Sequence, residues 1–373
     1  MPEALRPPFR ADHVGSLLRP PELLAARAKT QAGEISGAAL KDIEDRCIRD
    51  AVELQEGIGL QGITDGEYRR TYFHIDFLEQ LEGIAVRGGI ATKFHRDDTE
   101  IDFAPPRLEV VGKLRRTKPI AGADFEFLRS VTGRTPKLCL PSPTMVHFRG
   151  GRASIDRTAY PDIEEFFADL ARVYREEIAD LAARGCTYLQ LDDTNLAYLC
   201  DPKLRQGARD RGDDPDTLPH LYARLINESI RDRPPGMTVC IHLCRGNFRS
   251  AWVAEGGYDP VAEPLFSEIA VDGYFLEYDT PRAGDFAPLR YLPKGKMLVL
   301  GLVTTKTPAL EPADDLRRRI DTAARHVPME QLAISPQCGF SSTVHGNDIS
   351  VDAETAKLRL VVDVARQVWG DSA

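Results

Sequence analysis

The chain has 373 residues, of which 42% are hydrophobic and 28% are charged, and its formal net charge is −9. This balance is typical of a globular protein, and the negative charge argues against nucleic acid or an anionic membrane surface as the main partner. No apolar run approaches the roughly 20 residues that cross a bilayer, so no membrane-spanning helix is predicted.

Cysteine usage bears on the cellular compartment. The seven cysteines are scattered along the chain, and the N-terminal stretch lacks the continuous apolar segment of a secretory signal. We therefore expect a cytoplasmic protein whose thiols are reduced or bind a metal, rather than a disulfide framework.

Short apolar runs alternate with longer amphipathic stretches. The predicted strands are His13–Leu18, Gly62–Thr64, Lys137–Leu140, Thr187–Leu191, Met237–Ile241, Gly273–Leu276, Met297–Val303 and Gln331–Ile334. The predicted helices are Gly37–Gln55, Arg70–Leu81, Ile163–Arg184, Leu218–Arg231, Ala313–Arg325 and Ala353–Val368. Alternating strands and helices form parallel βαβ units. Eight strands in this order, with no glycine-rich phosphate loop at the first helix, predict an α/β fold: one TIM-type (β/α)₈ barrel catalytic domain over residues 1–373.

The stretch 83–119 interrupts this alternation after the second strand. It has no helical period, and its β-type segments Ile84–Arg87 and Leu108–Leu114 are separated by Gly-Gly and Pro-Pro pairs. We interpret it as a β-rich insertion near the top of the barrel. A surface elaboration is the first expectation, and a lid or a dimer contact is the alternative.

The fifth predicted strand and its exit carry two residue types that zinc favours. Side chains alternate along a strand, so Cys240, His242 and Cys244 share one face, opposite the apolar residues between them. The apolar face suits the outer helices. His242 and Cys244 are therefore expected at the C-terminal mouth of the barrel, with Cys240 one layer deeper. This motif alone does not distinguish a metal site from buried packing.

Other strand ends bring further polar groups to the same mouth. Glu277 ends the sixth strand, and Cys338 lies just past the eighth. On the fourth strand, alternation directs Asp192 inward and leaves Asp193 as a helix cap. Glu67 follows the second strand. Three strands that deliver zinc-type ligands to one rim favour a metal site there.

The first strand contains His-Val-Gly-Ser at residues 13–16. Gly15 permits the close backbone approach that an anion-binding turn needs.

Taken together, these motifs resemble the catalytic barrel of the cobalamin-independent methionine synthase family, in a short branch that has only the barrel. The resemblance spans six motifs in order: His-Val-Gly-Ser, Asp-Gly-Glu, Gln-Leu-Asp, His-x-Cys, the glutamate of the sixth strand and Pro-Gln-Cys-Gly. It implies a zinc-dependent enzyme that methylates the thiol of homocysteine to give methionine, with zinc keeping the thiol deprotonated.

The resemblance also implies roles for individual residues. The implied zinc ligands are His242, Cys244, Glu277 and Cys338, with Glu277 the ligand that the substrate sulfur displaces. The implied homocysteine contacts are Ser16, Glu67 and Asp192, with the two acids on the ammonium group and the Ser16 turn on the carboxylate. Glu67, Asp192 and Lys306 are the expected catalytic residues.

The side of the site that would bind the methyl donor departs from the family. Lys306 stands where the family has a histidine that protonates the folate leaving group, and a lysine ammonium is a poor acid at neutral pH. Pro141–Phe148 replaces the segment whose tryptophan stacks on the pterin. The donor is therefore left open between methylcobalamin, with a corrinoid protein as a candidate partner, and methyltetrahydrofolate. We expect methylcobalamin to be the faster donor.

Two other functions stay open. One is a zinc alkyltransferase that uses coenzyme M with an epoxide; its sulfonate would need cations such as Arg69, Arg70 and Arg245 near the mouth. The other is a non-catalytic scaffold that binds zinc or a corrinoid. A zinc hydrolase is disfavoured by the thiolate-rich ligand set and by the lack of a His-x-His pair. A homo-oligomer is compatible with the sequence.

Overall fold

The computed structural model describes residues 6–89, 91–96 and 99–370. Its helices are α1 (Pro21–Gln31), α2 (Gly37–Ile58), α3 (Ile75–Leu78), α4 (Gly122–Val131), α5 (Ile163–Ala183), α6 (Asn195–Tyr198), α7 (Pro202–Asp210), α8 (Leu218–Ile230), α9 (Ala313–Ala323) and α10 (Val351–Trp369). Its strands are β1 (Gly62–Ile63), β2 (Glu82–Arg87), β3 (Thr92–Arg96), β4 (Thr99–Phe103), β5 (Arg107–Arg115), β6 (Thr135–Pro141), β7 (Tyr188–Asp193), β8 (Thr238–Leu243), β9 (Gly273–Glu277), β10 (Met297–Val303) and β11 (Leu332–Pro336). The predicted limits 1–373 and 83–119 also include residues 1–5, 90, 97–98 and 371–373, which lie outside the described residues.

Seven strands form one curled parallel sheet, in the order β1-β6-β7-β8-β9-β10-β11. Successive side chains point to opposite faces, as the alternation predicts. Leu189 and Leu191 of β7 pack into the large apolar cluster around the sheet, whereas Tyr188, together with Cys240 and Phe275 of the next two strands, belongs to a separate buried cluster. This arrangement confirms the predicted α/β class and TIM-barrel fold.

The segment before α1 joins the two edges of this sheet. The Asp12 N–H donates to the Ile334 carbonyl at 3.1 Å, and the Ile334 N–H donates to the Arg10 carbonyl at 2.9 Å. Beyond β1, the Thr64 hydroxyl donates to the Gly15 carbonyl at 2.6 Å. The N-terminal segment thus stands where a first barrel strand would lie.

The prediction of a strand at His13–Leu18 is wrong. The pairing of this segment with β11 is a bridge at Ala11, and no regular strand occurs in this part of the described chain. The Asp12 carboxylate accepts the His13 N–H at 2.8 Å, and Gly15 has a φ of +141°. A backbone that turns at these residues cannot continue an extended ladder.

The predicted helix Arg70–Leu81 is also corrected, because the structure forms a helix only at Ile75–Leu78. The Asp76 carboxylate accepts the backbone N–H groups of Thr71 and Tyr72, at 2.7 and 2.8 Å. An aspartate that bonds to nearby N–H groups offers the backbone an alternative to the helix.

The predicted β-rich insertion is confirmed as two antiparallel pairs, β2 with β5 and β3 with β4. The β3–β4 pair contacts a barrel loop through a bridge between His95 and Trp252. Phe94 of β3 packs against Phe248 of the same loop, with ring centroids 5.2 Å apart. The insertion therefore lies against the loop that follows β8.

No helix in the described part of the chain is long and apolar enough to cross a membrane.

Candidate metal centre and substrate cavity

The ends of two strands bring together one nitrogen donor and two sulfur donors. His242 lies on β8, Cys244 directly follows it, and Cys338 lies two residues past β11. Their donor atoms all lie within 4.8 Å of one another, and the Cys338 thiol approaches the Cys244 sulfur at 3.5 Å. All three residues are buried. One imidazole and two thiols in this arrangement match the donors that zinc prefers, so the residues present fit such an ion.

The electrostatics of this cluster favour a protonated His242 beside an ionised Cys338. Burial alone would lower the pKa of His242, but hydrogen bonds with Asp192 and Cys338 outweigh burial and raise it to about 10. The hydrogen bond with Cys244 holds the pKa of Cys338 well below its ordinary value, against burial and helped by His242. The same Cys338 contact, with burial, raises the pKa of Cys244. The group therefore favours one thiolate in the absence of a metal.

Glu277 is not among the residues whose donor atoms all lie within 4.8 Å of one another. It is fully buried at the end of β9, where one carboxylate oxygen accepts the Arg245 backbone N–H at 2.7 Å and the other pairs with the Arg282 guanidinium. Burial opposes ionisation, but Lys306, Arg282 and Arg245 outweigh it and lower the pKa of Glu277 to about 2. The Lys306 ammonium is buried and has no hydrogen-bond partner among the described residues.

A second cluster adjoins the first. Donor atoms of Glu67, Cys139 and Asp192 also lie within 4.8 Å of one another. One oxygen of Asp192 lies 3.1 Å from the Nδ1 atom of His242 and accepts the Gln190 amide at 2.7 Å. Asp192 therefore belongs to both clusters. Cys139 was not predicted, although alternation along β6 would have indicated that it faces inward.

Glu67 is buried in an unusual backbone conformation, with a φ of +59°. Its Oε1 atom lies 3.6 Å from the Arg70 guanidinium, and its Oε2 atom has no hydrogen-bond partner in the described part of the chain. Burial raises the pKa of Glu67 to about 7; Arg70 opposes this shift, while Asp192 and Asp65 add to it. A half-ionised carboxyl with a free oxygen is suited to receive a cationic group.

Two glycines let Ser16 and its neighbours approach closely. A Cβ atom at Gly339 would lie 1.9 Å from the Ser16 hydroxyl oxygen, and one at Gly15 would lie 2.7 Å from the Cys139 sulfur. The Ser16 oxygen accepts the Ser341 N–H at 3.3 Å. Only glycine fits at these two points without displacing the residues that surround the cavity.

One cavity joins these groups, with about 700 Å³ of empty space including its open mouth. Its lining includes Ser16, Glu67, Asp192, His242, Cys244 and Cys338, and also Phe94, Phe103 and Phe248. Phe103 and Phe248 are stacked, with centroids 4.0 Å apart and ring planes 9° apart. The sequence motifs do not indicate these phenylalanines, because two of them belong to the insertion. Glu277 and Lys306 are not among the lining residues.

Several known proteins are similar to this chain in sequence or in fold. The family model for the catalytic domain of cobalamin-independent synthase matches residues 9–367. The uncharacterized protein YxjH of Bacillus subtilis is 47% identical, over 97% of this chain and 95% of its own length. A Listeria monocytogenes structure, assigned provisionally as a vitamin-B12-independent methionine synthase, is 38% identical with a TM-score of 0.78, over 98% of this chain and 99% of that chain. The methionine synthase of Pyrococcus abyssi is 24% identical, over 88% of this chain and 85% of its own length. The chain therefore belongs to the cobalamin-independent methionine synthase family, and the matched region is that family's catalytic domain.

Proposed function

We propose that this chain is a zinc-dependent methyltransferase that transfers a methyl group to the thiol of homocysteine and forms methionine. One observation carries the proposal: the donor atoms of His242, Cys244 and Cys338 and the acids Glu67 and Asp192 line the same cavity. A metal-ligand group and an ammonium-binding group on one cavity fit an amino acid that carries a thiol. The name of the Pyrococcus relative supports the same reaction.

His242, Cys244 and Cys338 would hold the zinc, with Glu277 as the fourth ligand when no thiol is bound. Zinc there would supply a Lewis acid that keeps the substrate sulfur deprotonated at neutral pH. Asp192 lies 3.1 Å from Nδ1 of His242, which fixes the ring and leaves Nε2 for the metal.

The acids of the second cluster would bind the ammonium group of homocysteine. The Oε2 atom of Glu67 has no partner among the described residues, and Asp192 lies beside it across the cavity. Ser16 lines the same space, and its hydroxyl could donate to the substrate carboxylate. These contacts would hold the sulfur in one orientation, so that less entropy is lost when it reaches the reactive geometry.

The methyl donor would enter past the phenylalanines at the mouth. Phe94, Phe103 and Phe248 present aromatic surface in a cavity lining that includes no tryptophan among the described residues. A conjugated donor ring could stack on this surface. Methylcobalamin, carried by a corrinoid protein, and methyltetrahydrofolate remain the two candidate donors. A proton-donating role for Lys306 remains a prediction.

The coenzyme M alternative gains no support from its three arginines. Arg69 is paired with Glu44 and Asp45, and Arg245 is fully buried and donates to the Gly256 carbonyl. None of the three proposed sulfonate-binding arginines is among the residues that line the cavity.

The test is a donor panel with zinc-loaded enzyme and homocysteine: methylcobalamin, mono- and polyglutamyl methyltetrahydrofolate, and a methylsulfonium. We expect methionine with at least one donor and about one zinc per chain. Cys338→Ser should lose most of the zinc and the activity. The matched variant Cys240→Ser should keep both, because Cys240 lies in the interior cluster below the site. Bound zinc without turnover of any donor would favour the non-catalytic scaffold.

A further inference from the structure

Glu277 has two partners that occupy both of its carboxylate oxygens. The Arg245 backbone N–H donates to Oε2 at 2.7 Å, and the Arg282 guanidinium donates to Oε1. The carboxylate is fully buried, so water cannot take the place of either donor. A buried carboxylate keeps two such donors unless another cation binds it more strongly.

Arg282 is itself held in place. Its guanidinium stacks over the Trp252 ring at 4.5 Å and lies 3.6 Å from Asp279. Its carbonyl accepts the Gly256 N–H at 3.0 Å. Both the backbone and the cationic end of Arg282 are therefore fixed before any ligand binds, and little side-chain entropy is lost when it pairs with Glu277.

We propose that Arg282 is a positioning residue that competes with the zinc for the Glu277 carboxylate and thereby makes Glu277 a weak fourth ligand that the substrate thiol displaces easily. The inference rests on the proposed function, because it requires a metal on His242, Cys244 and Cys338. It assigns a cause to the absence of Glu277 from the group of donor atoms that lie within 4.8 Å of one another. Arg282 acts through Glu277 and has no role of its own in the chemistry.

The two oxygens of Glu277 differ in this competition. Oε2 bonds to a main-chain N–H that no side-chain replacement removes, whereas Oε1 depends on the Arg282 side chain. Removing the guanidinium would remove the side-chain donor to Oε1 while Oε2 stays anchored, and the Lys306 ammonium, which has no hydrogen-bond partner among the described residues, would stay in place. A carboxylate can bind zinc through one oxygen, so the freed Oε1 would bind the metal more strongly and resist displacement by a thiol.

The experiment compares wild-type protein, Arg282→Gln, Glu277→Gln and the double variant. Zinc affinity is measured by competition with a chromophoric chelator, and the coordination of cobalt(II)-substituted protein by visible absorption, with and without homocysteine. Arg282→Gln should bind zinc about tenfold more tightly and homocysteine about tenfold more weakly, the scale of outer-shell effects on metal sites. Its cobalt spectrum should change less when homocysteine is added. Arg290→Gln, an exposed arginine paired with Asp259, is the matched control.

The double variant separates the competition from simple damage. Both effects of Arg282→Gln should vanish when residue 277 is glutamine, because the competing carboxylate is gone. A folded Arg282→Gln protein with unchanged zinc affinity and an unchanged cobalt spectrum would refute the inference, as would effects of equal size in the Glu277→Gln background. A wild-type protein that binds no zinc at the three-residue cluster would instead refute the proposed function.

Discussion

Replacing Glu67 by glutamine tests whether the second cluster recognises an ammonium group. Glu67 is 4% exposed, and its Oε2 atom has no hydrogen-bond partner among the described residues. A hydrogen bond to a charged group contributes about 1.5–3 kcal/mol. Glu67→Gln should therefore raise the dissociation constant of homocysteine about 10- to 150-fold. Zinc content should not change, because Glu67 is not in the three-residue metal cluster.

Titration calorimetry against two thiols distinguishes recognition from general damage. 4-Mercaptobutyrate has the carbon skeleton of homocysteine without the amino group, so its affinity should be nearly equal for wild-type protein and Glu67→Gln. Glu79→Gln, the same change at an exposed position twelve residues away, should alter neither affinity. Equal losses for both thiols in Glu67→Gln would show that this acid does not bind ammonium.

The same pair of proteins should differ in pH dependence. Burial raises the pKa of Glu67 to about 7, despite Arg70 and with added effects from Asp192 and Asp65. Below this value the carboxyl is neutral, and above it the carboxylate attracts ammonium. Homocysteine affinity of the wild-type protein should therefore rise between about pH 6 and pH 8. The rise should be smaller in Glu67→Gln, and an identical pH profile would contradict the assignment.

Three further changes test other parts of the structure. Gly339→Ala places a Cβ atom 1.9 Å from the Ser16 oxygen. Urea unfolding should therefore show a free energy of unfolding that is lower by about 1–3 kcal/mol, and calorimetry should show weaker homocysteine binding. Lys306→Ala should slow the methylcobalamin reaction by less than about tenfold, or roughly 1.4 kcal/mol, in initial-rate assays, because a departing Co(I) needs no proton. Burial raises the pKa of Glu354 from 4.5 to about 8, so native protein keeps a proton that the unfolded chain releases, and wild-type stability should fall as pH rises between these values. Glu354→Gln should lack this fall, and unfolding of the wild-type protein at pH 6 and at pH 9 should differ by roughly 2–3 kcal/mol.

The parts of the fold that were predictable are those governed by local pattern. Met297–Val303 was predicted and forms a strand with the same bounds, because a continuous apolar run flanked by polar residues suits a strand buried on both faces. Period-two alternation also separated inward from outward side chains on β7 and β8. That is why the predicted residues Asp192 and His242 lie in register on neighbouring strands.

The features that were missed depend on contacts between distant segments. The stretch before α1 is shaped by Asp12, whose carboxylate binds Lys137 at 3.0 Å inside the barrel, 125 residues away. Periodicity cannot show such a partner. The pairing of Glu277 with Arg282 was missed for a related reason: a sequence motif shows which side chain reaches the mouth of the barrel, but not which cation is already there.

Asp192 connects the two halves of the proposed site. It is fixed on β7 opposite His242, its Oδ1 atom lies 3.1 Å from the imidazole, and its carboxylate also adjoins Glu67. A substrate ammonium at this carboxylate would change the charge beside the imidazole that is proposed to bind zinc. Recognition of the amino group and orientation of the metal ligand are therefore not independent. Asp192→Asn should accordingly weaken homocysteine binding and also alter the cobalt spectrum, whereas Glu67→Gln should affect only the former.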